Sequence, residues 1–472
     1  MDSYELLKED TKKAVDFFNS FDKNAPIRLI SHLDADGISA ASLMVKCLNN
    51  ANRRYSISIV QQLNKEVLEQ VALEPYKYVI FTDIGAGMLD SIKAVLKGKE
   101  VLVLDHHDPE LTQDGENVFM LNPHKFGIDG GIEVSGAGVV YLFASCLDER
   151  IKDYAHIAII GAIGDLQESG GFSKINREIL AEAVSRGKLK VIKGLRLFGA
   201  QTKPLHKVLE YCTDPYIPGV SGSESGAIQF LSSLGIYPKN GKGWKKVGHL
   251  TEEEMQRLVA GVIMKRLNEK DPEDVLGNVY ILKEESHESP TKDAREFATL
   301  LNACGRMGKA SLGIGVCLGD EKMKERALKS MLEYKKQIVN AMRWYESKKD
   351  SEFVTKGKGF MIINAQNEVM HTIIGTLASI LSKSNELPDN TYILSMAKLV
   401  DGNSKVSIRK SGRNNEEDLK GVMGRIVAGI EGCEAGGHQN AAGALVPMDR
   451  EEEFVARAKE ILASLAMEEK VV

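Results

Sequence analysis

The chain has 472 residues, 43% hydrophobic and 27% charged, with a formal net charge of -5. This length fits two or three domains, and the composition is typical of a globular protein. The weakly negative charge excludes a uniformly basic nucleic-acid-binding protein, so any such surface has to be a local patch. The six cysteines form no CxxC pair, which argues against structural zinc and against a disulfide framework.

The sequence carries no pattern typical of secretion or of a membrane span. The N-terminal segment MDSYELLKEDTKKAVDFF is acidic and amphipathic, unlike a signal peptide. No uninterrupted apolar run reaches the roughly 18 residues that a transmembrane helix needs. We therefore expect a cytoplasmic protein with no membrane association.

In the first 165 residues, short apolar runs alternate with segments of helical periodicity. The predicted strands cover residues 27–31, 55–60, 78–84, 101–105 and 118–122. The predicted helices cover residues 37–50, 64–73, 87–97, 136–148 and 152–163. This alternation predicts an α/β domain with a mostly parallel, doubly wound sheet. The segment QESGGFS, 167–173, predicts a loop near the first domain boundary.

The rest of the chain divides into a helical region and a second α/β region. Helical periodicity dominates the middle, where LGIGVCLG (312–319) predicts a strand and residues 321–347 predict a long helix. The strand-like runs GFMIINA and TYILSMAKL then indicate a smaller C-terminal α/β domain. The predicted domains are residues 1–180, a helical insertion and connector at 181–350, and residues 351–472.

Acidic and histidine side chains follow several of the predicted core elements. The segments SHLDADG, FTDIG, LDHH and GAIGD supply His32, Asp34, Asp36, Asp83, Asp105, His106, His107 and Asp165. Because ligands bind beyond the carboxyl ends of strands in open α/β sheets, we expect these side chains in one cleft. Imidazole and carboxylate ligands suit manganese, magnesium, iron or zinc, and clustered carboxylates repel one another unless cations neutralise them. Each motif alone also fits a structural role, such as an Asp that caps a helix. Their combination favours a metal centre.

These motifs resemble those of the DHH phosphoesterase superfamily, whose four motifs match SHLDADG, TDIG, LDHHDPE and GAIGD. The resemblance implies two divalent metal ions, preferably Mn²⁺ or else Mg²⁺. It implies one ligand set of His32, Asp34 and Asp83. It implies a second set of Asp36, Asp83, His106 and Asp165, with Asp83 shared. His107 would contact the phosphate, and Asp105 would orient a histidine.

The C-terminal region resembles the DHH-associated domain through GGHQNAAG (436–443) and VSIRKSG. The resemblance implies substrate contacts from Arg409, Gly436, Gly437 and His438. Paired glycines let backbone N–H groups approach a phosphodiester closely, although a simple turn and a solvated arginine are the alternatives. His371, before the apolar run IIGTLASIL, is a further candidate substrate contact, with a structural role at a helix start as the alternative.

Within the superfamily, the layout and the segments NREILAEA and DAREFATLLNACGRMGKASLGIGVCLGD are most similar to archaeal RecJ-type nucleases. This resemblance implies a single-strand exonuclease of DNA or RNA in replication or repair, with the GINS complex and the replicative helicase as partners. Arg295 and Arg306 are candidate contacts to a backbone phosphate. The lysine-rich segments 188–198 and 241–246 are candidates for a single-strand groove, with plain solvated surface as the alternative.

Two other functions stay open. The first is a phosphodiesterase of short oligonucleotides or cyclic dinucleotides. The second is a non-catalytic replication scaffold, because the superfamily includes a helicase cofactor that has lost most metal ligands. Here every ligand position is filled, which favours an enzyme.

Overall fold

The structure is a computed structural model that describes residues 2–109, 114–200, 202–212, 216–240, 243–269, 272–286, 289–384, 387–412 and 417–468. The chain forms two compact units, Met1–Ser330 and Met331–Val472. The finer domain boundaries expected near residues 180 and 350 stay predictions.

A parallel sheet forms the core of the first unit. Its strands are β1 (Ile27–His32), β2 (Tyr55–Val60), β3 (Tyr78–Thr82), β4 (Glu100–Leu104) and β5 (Val118–Leu121). They lie in the order β2-β1-β3-β4-β5, and every neighbouring pair is parallel. The chain changes direction across the sheet between β1 and β3, and such a switch point opens a crevice at the carboxyl ends of the strands. This sheet confirms the predicted fold class.

Helices flank the parallel sheet on both faces. They are α1 (Ser3–Asn19), α2 (Ala35–Asn50), α3 (Lys65–Leu73), α4 (Leu89–Val95), α5 (Gly136–Leu147), α6 (Ala155–Gly164) and α7 (Lys174–Ser185). Leu68 of α3 and Ile92 of α4 share one buried cluster with Val79, Phe81 and Val103 of the strands. Helices α1, α2 and α5 also contact the strands. Because both faces are covered, β3 and β4 are nearly continuous buried apolar runs, whereas the edge strand β2 alternates and is only partly buried.

The remainder of the first unit is mostly helical, as predicted. Its elements are β6 (Leu189–Leu195), α8 (Leu205–Glu210), α9 (Glu224–Ser233), β7 (Lys239–Asn240), β8 (Gly243–Trp244), α10 (Glu252–Lys265), β9 (Leu276–Leu282), α11 (Ala294–Arg306) and α12 (Ala310–Cys317). The next helix, α13 (Glu321–Lys348), begins in the first unit and continues past Ser330 into the second. Strands β6 and β9 pair antiparallel. Helices α8, α9 and α10 enclose a separate apolar core that includes Leu209, Leu231 and Leu258.

The strand predicted for residues 312–319 is wrong, because this segment lies mostly in α12. Its alternating glycines and apolar residues imitate the period of a strand. The glycines instead permit close packing of a helix: a Cβ on Gly313 would lie 3.0 Å from Cγ2 of Ile38, and one on Gly315 would lie 2.6 Å from Met323. Leu312, Ile314 and Val316 are all buried.

Helix α6 carries a histidine whose environment makes stability depend on pH. Burial, followed by the charge of Lys188, lowers the pKa of His156 to about 4. The unfolded chain, with an ordinary histidine pKa of about 6.5, binds a proton more readily than the folded chain between these two values. Stability is therefore expected to fall as the pH drops from about 6.5 towards 4.

We predict that His156→Gln weakens this dependence. At pH 5 the variant should recover at most about 2 kcal/mol of the unfolding free energy that acidification removes from the wild type. Urea unfolding of both proteins at pH 7.5 and pH 5 measures this difference. Equal losses in the two proteins would contradict the assignment to His156.

A mixed sheet forms the core of the second unit. Its strands are β10 (Val354–Gly357), β11 (Phe360–Asn364), β12 (Tyr392–Lys398), β13 (Asn403–Lys410), β14 (Glu434–His438) and β15 (Ala441–Pro447). They lie in the order β10-β11-β12-β13-β15-β14, and only the pair β11–β12 is parallel among these strands. The helices are α14 (His371–Ser382), α15 (Leu419–Val427) and α16 (Glu451–Glu468). The smaller C-terminal α/β domain is thereby confirmed.

The two faces of this mixed sheet pack against different helices. Leu394 and Ile408 share a buried cluster with Met423 of α15 and Phe454 of α16. Helix α14 contacts β12 and β13, where the Oγ of Ser395 donates to the carbonyl oxygen of Ile374 at 3.2 Å. None of the helices in the described part of the chain is long and apolar enough to cross a membrane.

Candidate metal centre

The first ligand-bearing segment begins where β1 ends. His32 is the last residue of β1, and Asp34 is the N-cap of α2, where its Oδ1 accepts a hydrogen bond from the N–H of Gly37 at 2.9 Å. The other oxygen of Asp34 lies 2.9 Å from Nδ1 of His32. Gly37 permits this tight turn because a Cβ there would lie 2.4 Å from the carbonyl oxygen of His32.

Asp83 follows β3 and lies between two histidines. Its φ of 57° is in the left-handed region, which is uncommon for a residue other than glycine and is frequent at functional sites. Oδ1 of Asp83 is 3.3 Å from Nε2 of His106, and Oδ2 is 3.7 Å from Nδ1 of His32. The side chain is 2% exposed. Asp83 therefore joins the group of residues after β1 to the group after β4.

His106 faces a set of carboxylates with one ring nitrogen. Its Nε2 lies 3.8 Å from Asp36, 3.3 Å from Asp83 and 3.3 Å from Asp165. At the other side of the ring, Nδ1 lies 2.7 Å from the carbonyl oxygen of Gly130. A carbonyl only accepts, so Nδ1 carries the proton and Nε2 presents its lone pair to the carboxylates when the ring is neutral. This is the arrangement of a metal-binding histidine with a backbone carbonyl behind it.

The predicted ligands therefore meet in one partly buried centre. Within the described residues, ligand atoms of His32, Asp34 and Asp83 lie within 4.8 Å of one another, as do those of Asp36, His106 and Asp165. Asp83, Asp105, His106 and His107 form a third such group. The two predicted ligand sets are thus adjacent, with Asp83 between them. Their roles as ligands stay predictions.

The buried negative charges of this centre would be stabilised by bound cations. Burial, together with the nearby Asp83 and Asp165, raises the pKa of Asp36 well above its usual value. Burial also raises the pKa of Asp165, to about 7. In the described part of the chain, neither oxygen of the buried Asp83 has a hydrogen-bond donor in suitable geometry. A buried carboxylate without such partners is costly, and divalent ions would compensate it. Carboxylate and imidazole ligands without thiolates fit Mn²⁺ and Mg²⁺, as well as iron or zinc.

Asp105 orients His107 rather than His106. One oxygen of Asp105 lies 2.7 Å from Nδ1 of His107, and it also accepts from the backbone N–H groups of His106 and His107 at 2.8 and 3.2 Å. The other oxygen accepts from the N–H of Ala86 at 2.8 Å. Burial would raise the pKa of Asp105, but the charges of His107 and His106 and the hydrogen bonds from His107 and Ala86 together outweigh it, so this pKa lies below its usual range. A fully buried, four-fold bonded carboxylate is suited to positioning, while the His107 side chain is 35% exposed.

Glycines that the sequence analysis did not single out complete the centre. The backbone N–H groups of Gly136 and Ala137, at the start of α5, donate to the two oxygens of Asp36 at 2.6 and 3.1 Å. A Cβ on Gly136 would lie 2.3 Å from Oδ1 of Asp83, and one on Gly161 would lie 2.3 Å from Oδ1 of Asp36. The only local signal is the glycine content of GAG (136–138) and GAIG (161–164).

The predicted substrate contacts lie in the second unit. Arg409 of β13 donates from Nε to Oγ of Ser379 at 3.0 Å and from Nη1 to the carbonyl oxygen of Ile408 at 2.7 Å. Nη1 also reaches the carbonyl oxygen of Ala442 on β15 at 3.5 Å. These bonds fix the guanidinium between α14 and the glycine-bearing strands.

The glycine signature occupies β14 and the start of β15. A Cβ on Gly436 would meet no atom within 4 Å, so the space beside this residue is open, whereas Gly437 has a φ of 131° that favours glycine. His371 is the first residue of α14, and burial lowers its pKa. The side chain of His438 lies outside the described part of the structure.

The two lysine-rich segments are surface elements of the first unit. Residues 189–195 form β6, and Lys188 pairs with Glu284 at 2.7 Å. In the second segment Lys245 pairs with Glu254 at 2.5 Å, and the exposed Trp244 ring packs against His206 in a tilted arrangement with centroids 4.2 Å apart. Lys242 lies outside the described residues. A nucleic-acid role for either segment stays a prediction.

Sequence comparison identifies three families along the chain. The DHH family N-terminal domain matches residues 26–162, the DHH-CID domain matches residues 197–278, and the DHHA1 domain matches residues 358–464. The uncharacterized protein MJ0831 of Methanocaldococcus jannaschii is 31% identical over 443 residues, which cover 92% of this chain and 93% of that protein.

Solved structures share the fold. RecJ of Thermus thermophilus in complex with Mn²⁺ has a TM-score of 0.56 and 16% identity, over 97% of this chain and 55% of that one. The chain thus spans about half the length of that RecJ. CDC45 of Entamoeba histolytica has a TM-score of 0.62 and 12% identity, over 97% of each chain. An exonuclease RecJ bound to manganese has a TM-score of 0.54 and 17% identity, over 97% of this chain and 94% of that one.

The first unit has a parallel sheet with a histidine–carboxylate centre at its strand ends, and the second unit has a mixed sheet. Together with the family matches, these features define a phosphoesterase with a candidate metal site. The chain belongs to the DHH/DHHA1 phosphoesterase superfamily. The resemblance of its motifs to this superfamily is thereby confirmed.

Proposed function

We propose that this protein is a divalent-metal-dependent exonuclease that hydrolyses single-stranded DNA or RNA during replication or repair. The observation that carries the proposal is the position of Asp83, a buried carboxylate whose oxygens lie 3.7 and 3.3 Å from ring nitrogens of His32 and His106, between two groups of ligand residues. Paired metal sites that share a carboxylate suit displacement at phosphorus. Binding of the GINS complex or of the replicative helicase stays a prediction.

The first unit supplies the reacting groups in this proposal. His32, Asp34 and Asp83 hold one ion, and Asp36, Asp83, His106 and Asp165 hold the other. A bound divalent ion lowers the pKa of a coordinated water and offsets the charge of the phosphate. The carbonyl of Gly130 holds the ring of His106 in the required orientation. Asp105 binds Nδ1 of His107, so Nε2 is the ring atom that would contact a phosphate oxygen.

The second unit supplies nucleic-acid contacts in this proposal. Arg409 is held by Ser379 and by backbone carbonyls, so its planar guanidinium is preorganised for a phosphate. The open space beside Gly436 suits close approach of the phosphodiester chain. Gly437, His438 and His371 are the remaining proposed contacts. The match to the DHHA1 domain and the RecJ-like fold support this assignment.

Substrate length tests the proposal and separates it from its alternatives. The wild type with Mn²⁺ is incubated with end-labelled single strands of about 30 nucleotides in DNA and RNA, well beyond the footprint of one single-strand-binding module. Matched duplexes, dinucleotides and cyclic dinucleotides are the comparison substrates. We expect stepwise shortening of a long single strand and resistance of the duplex.

The other outcomes contradict the proposal in different ways. Cleavage confined to dinucleotides or cyclic dinucleotides would assign the alternative phosphodiesterase activity. Absence of hydrolysis on every substrate, by protein shown to bind Mn²⁺, would favour the replication scaffold. Variation of the metal between Mn²⁺ and Mg²⁺ in the same assay reports the preferred ion.

A further inference from the structure

Helix α11 contacts the ligand-bearing segment after β1. Oδ1 of Asn302 accepts a hydrogen bond from the backbone N–H of Ala35 at 3.0 Å. Ala35 is the residue between Asp34 and Asp36, one from each predicted ligand set. A side chain 267 positions away along the chain thus holds the peptide that links the two ligand sets.

The same helix touches this segment on the other side of Asp34. A Cβ on Gly305 would lie 1.6 Å from the carbonyl oxygen of Leu33, so only glycine permits this approach. Leu33 lies between His32 and Asp34. Because the nearest atom belongs to the backbone, any larger residue would displace the segment itself. Helix α11 therefore fixes the backbone on both sides of Asp34.

The first turn of α11 is tied to the segment that carries Asp165. Nε of Arg295 donates to Oε1 of Glu168 at 2.8 Å, and these side chains are 21% and 5% exposed. Glu168 lies three residues after Asp165. Asp293 caps this end of α11 by accepting from the N–H of Arg295 at 2.8 Å. Arg295, a candidate phosphate contact in the sequence, is thus engaged inside the protein.

We propose that α11 is a clamp on the metal centre and that Asn302 is a positioning residue for it. The helix sets the spacing between the segment of Asp34 and Asp36 and the segment of Asp165. The inference rests on the metal centre of the proposed function, but it requires no particular substrate. Residues that orient metal ligands in this way typically change metal affinity by about 10- to 100-fold when they are replaced.

The test is titration of the metal-free full-length protein with Mn²⁺, with free Mn²⁺ followed by electron paramagnetic resonance. Asn302→Ala removes the acceptor and is expected to weaken binding by about 10- to 100-fold. Asn302→Asp keeps an acceptor oxygen and should restore an affinity within a few-fold of the wild type. The matched control is Asn117→Ala, because Asn117 also binds the backbone, donating to the carbonyl oxygen of Lys99 at 2.6 Å, but lies at the amino end of β5.

Wild-type affinity in a folded Asn302→Ala variant would overturn the clamp, as would an equal loss in Asn117→Ala. If Asn302→Ala does not fold, Arg295→Gln provides the second probe, since it breaks the contact at the other end of α11. It should also weaken Mn²⁺ binding, and unchanged affinity would again overturn the proposal.

The clamp and the proposed function fail separately. Suppose that the wild type binds Mn²⁺ but cleaves no nucleic acid, and that Asn302→Ala binds Mn²⁺ more weakly. This result would support the clamp and exclude the nuclease activity. If the wild type is a nuclease but Asn302→Ala binds Mn²⁺ with wild-type affinity, the nuclease activity is supported and the clamp is excluded. If the wild type binds no Mn²⁺, the assignment of the metal centre, on which both proposals depend, is wrong.

Discussion

Replacement of Asp83 by asparagine is expected to reduce metal-dependent hydrolysis by at least about 10³-fold, the equivalent of several kcal/mol of lost transition-state stabilisation. Asparagine keeps the shape of the side chain but removes the charge that both ligand sets share. The buried carboxylate is flanked by ring nitrogens of His106 and His32, at 3.3 and 3.7 Å, and both histidines are predicted ligands themselves. Initial rates on the preferred substrate in saturating Mn²⁺ measure the loss.

The matched control for this change is Asp108→Asn. Asp108 lies in the same motif but is exposed, so its neutralisation should leave the rate within a few-fold of the wild type. Folding of both variants is checked by their unfolding curves in the absence of metal. Metal-dependent hydrolysis at the wild-type rate in Asp83→Asn would exclude Asp83 as the shared ligand.

Replacement of Gly161 by alanine is expected to destabilise the metal-free protein by about 1–3 kcal/mol, the usual range for overpacking in a core. The new Cβ would lie 2.3 Å from Oδ1 of Asp36 and 2.6 Å from Cβ of Ala137. The carboxylate would have to move away from the N–H groups of Gly136 and Ala137 that hold it, so Mn²⁺ binding should weaken as well. Urea unfolding and Mn²⁺ titration report the two effects.

Gly424→Ala is the control for helix propensity. Gly424 also lies inside a helix, α15, but a Cβ there meets nothing within 4 Å. Alanine should therefore stabilise the protein at this position by about 0.5–1 kcal/mol. Equal stabilisation by both substitutions would show that Gly161 is not packed against Asp36.

The sheet and the meeting of the ligand residues were predictable from the sequence. Apolar runs such as VLVL and YVIFT predict buried parallel strands, and parallel strands place their carboxyl ends at one edge. Asp83 and His106 were therefore expected at the same edge of the sheet, although they follow different strands. The structure adds that Asp105 orients His107 instead of the neighbouring His106.

The contacts around the ligands were not predictable, because they join distant segments without a local pattern. Nothing near Asn302 indicates that its amide binds Ala35, and nothing near Gly161 indicates that Asp36 lies against it. The error at α12 has a related cause. Alternating glycines imitate the period of a strand, whereas their real role is close packing between helices, which only the tertiary structure reveals.

The number of Mn²⁺ ions bound by the metal-free protein tests the central claim most directly. The position of Asp83 between two ligand sets predicts two ions per wild-type chain in a saturable titration. Asp83→Asn is expected to lose high-affinity binding, while Asp108→Asn keeps it. A wild type that binds no Mn²⁺ saturably, or an Asp83→Asn variant that binds two ions with unchanged affinity, would contradict the claim.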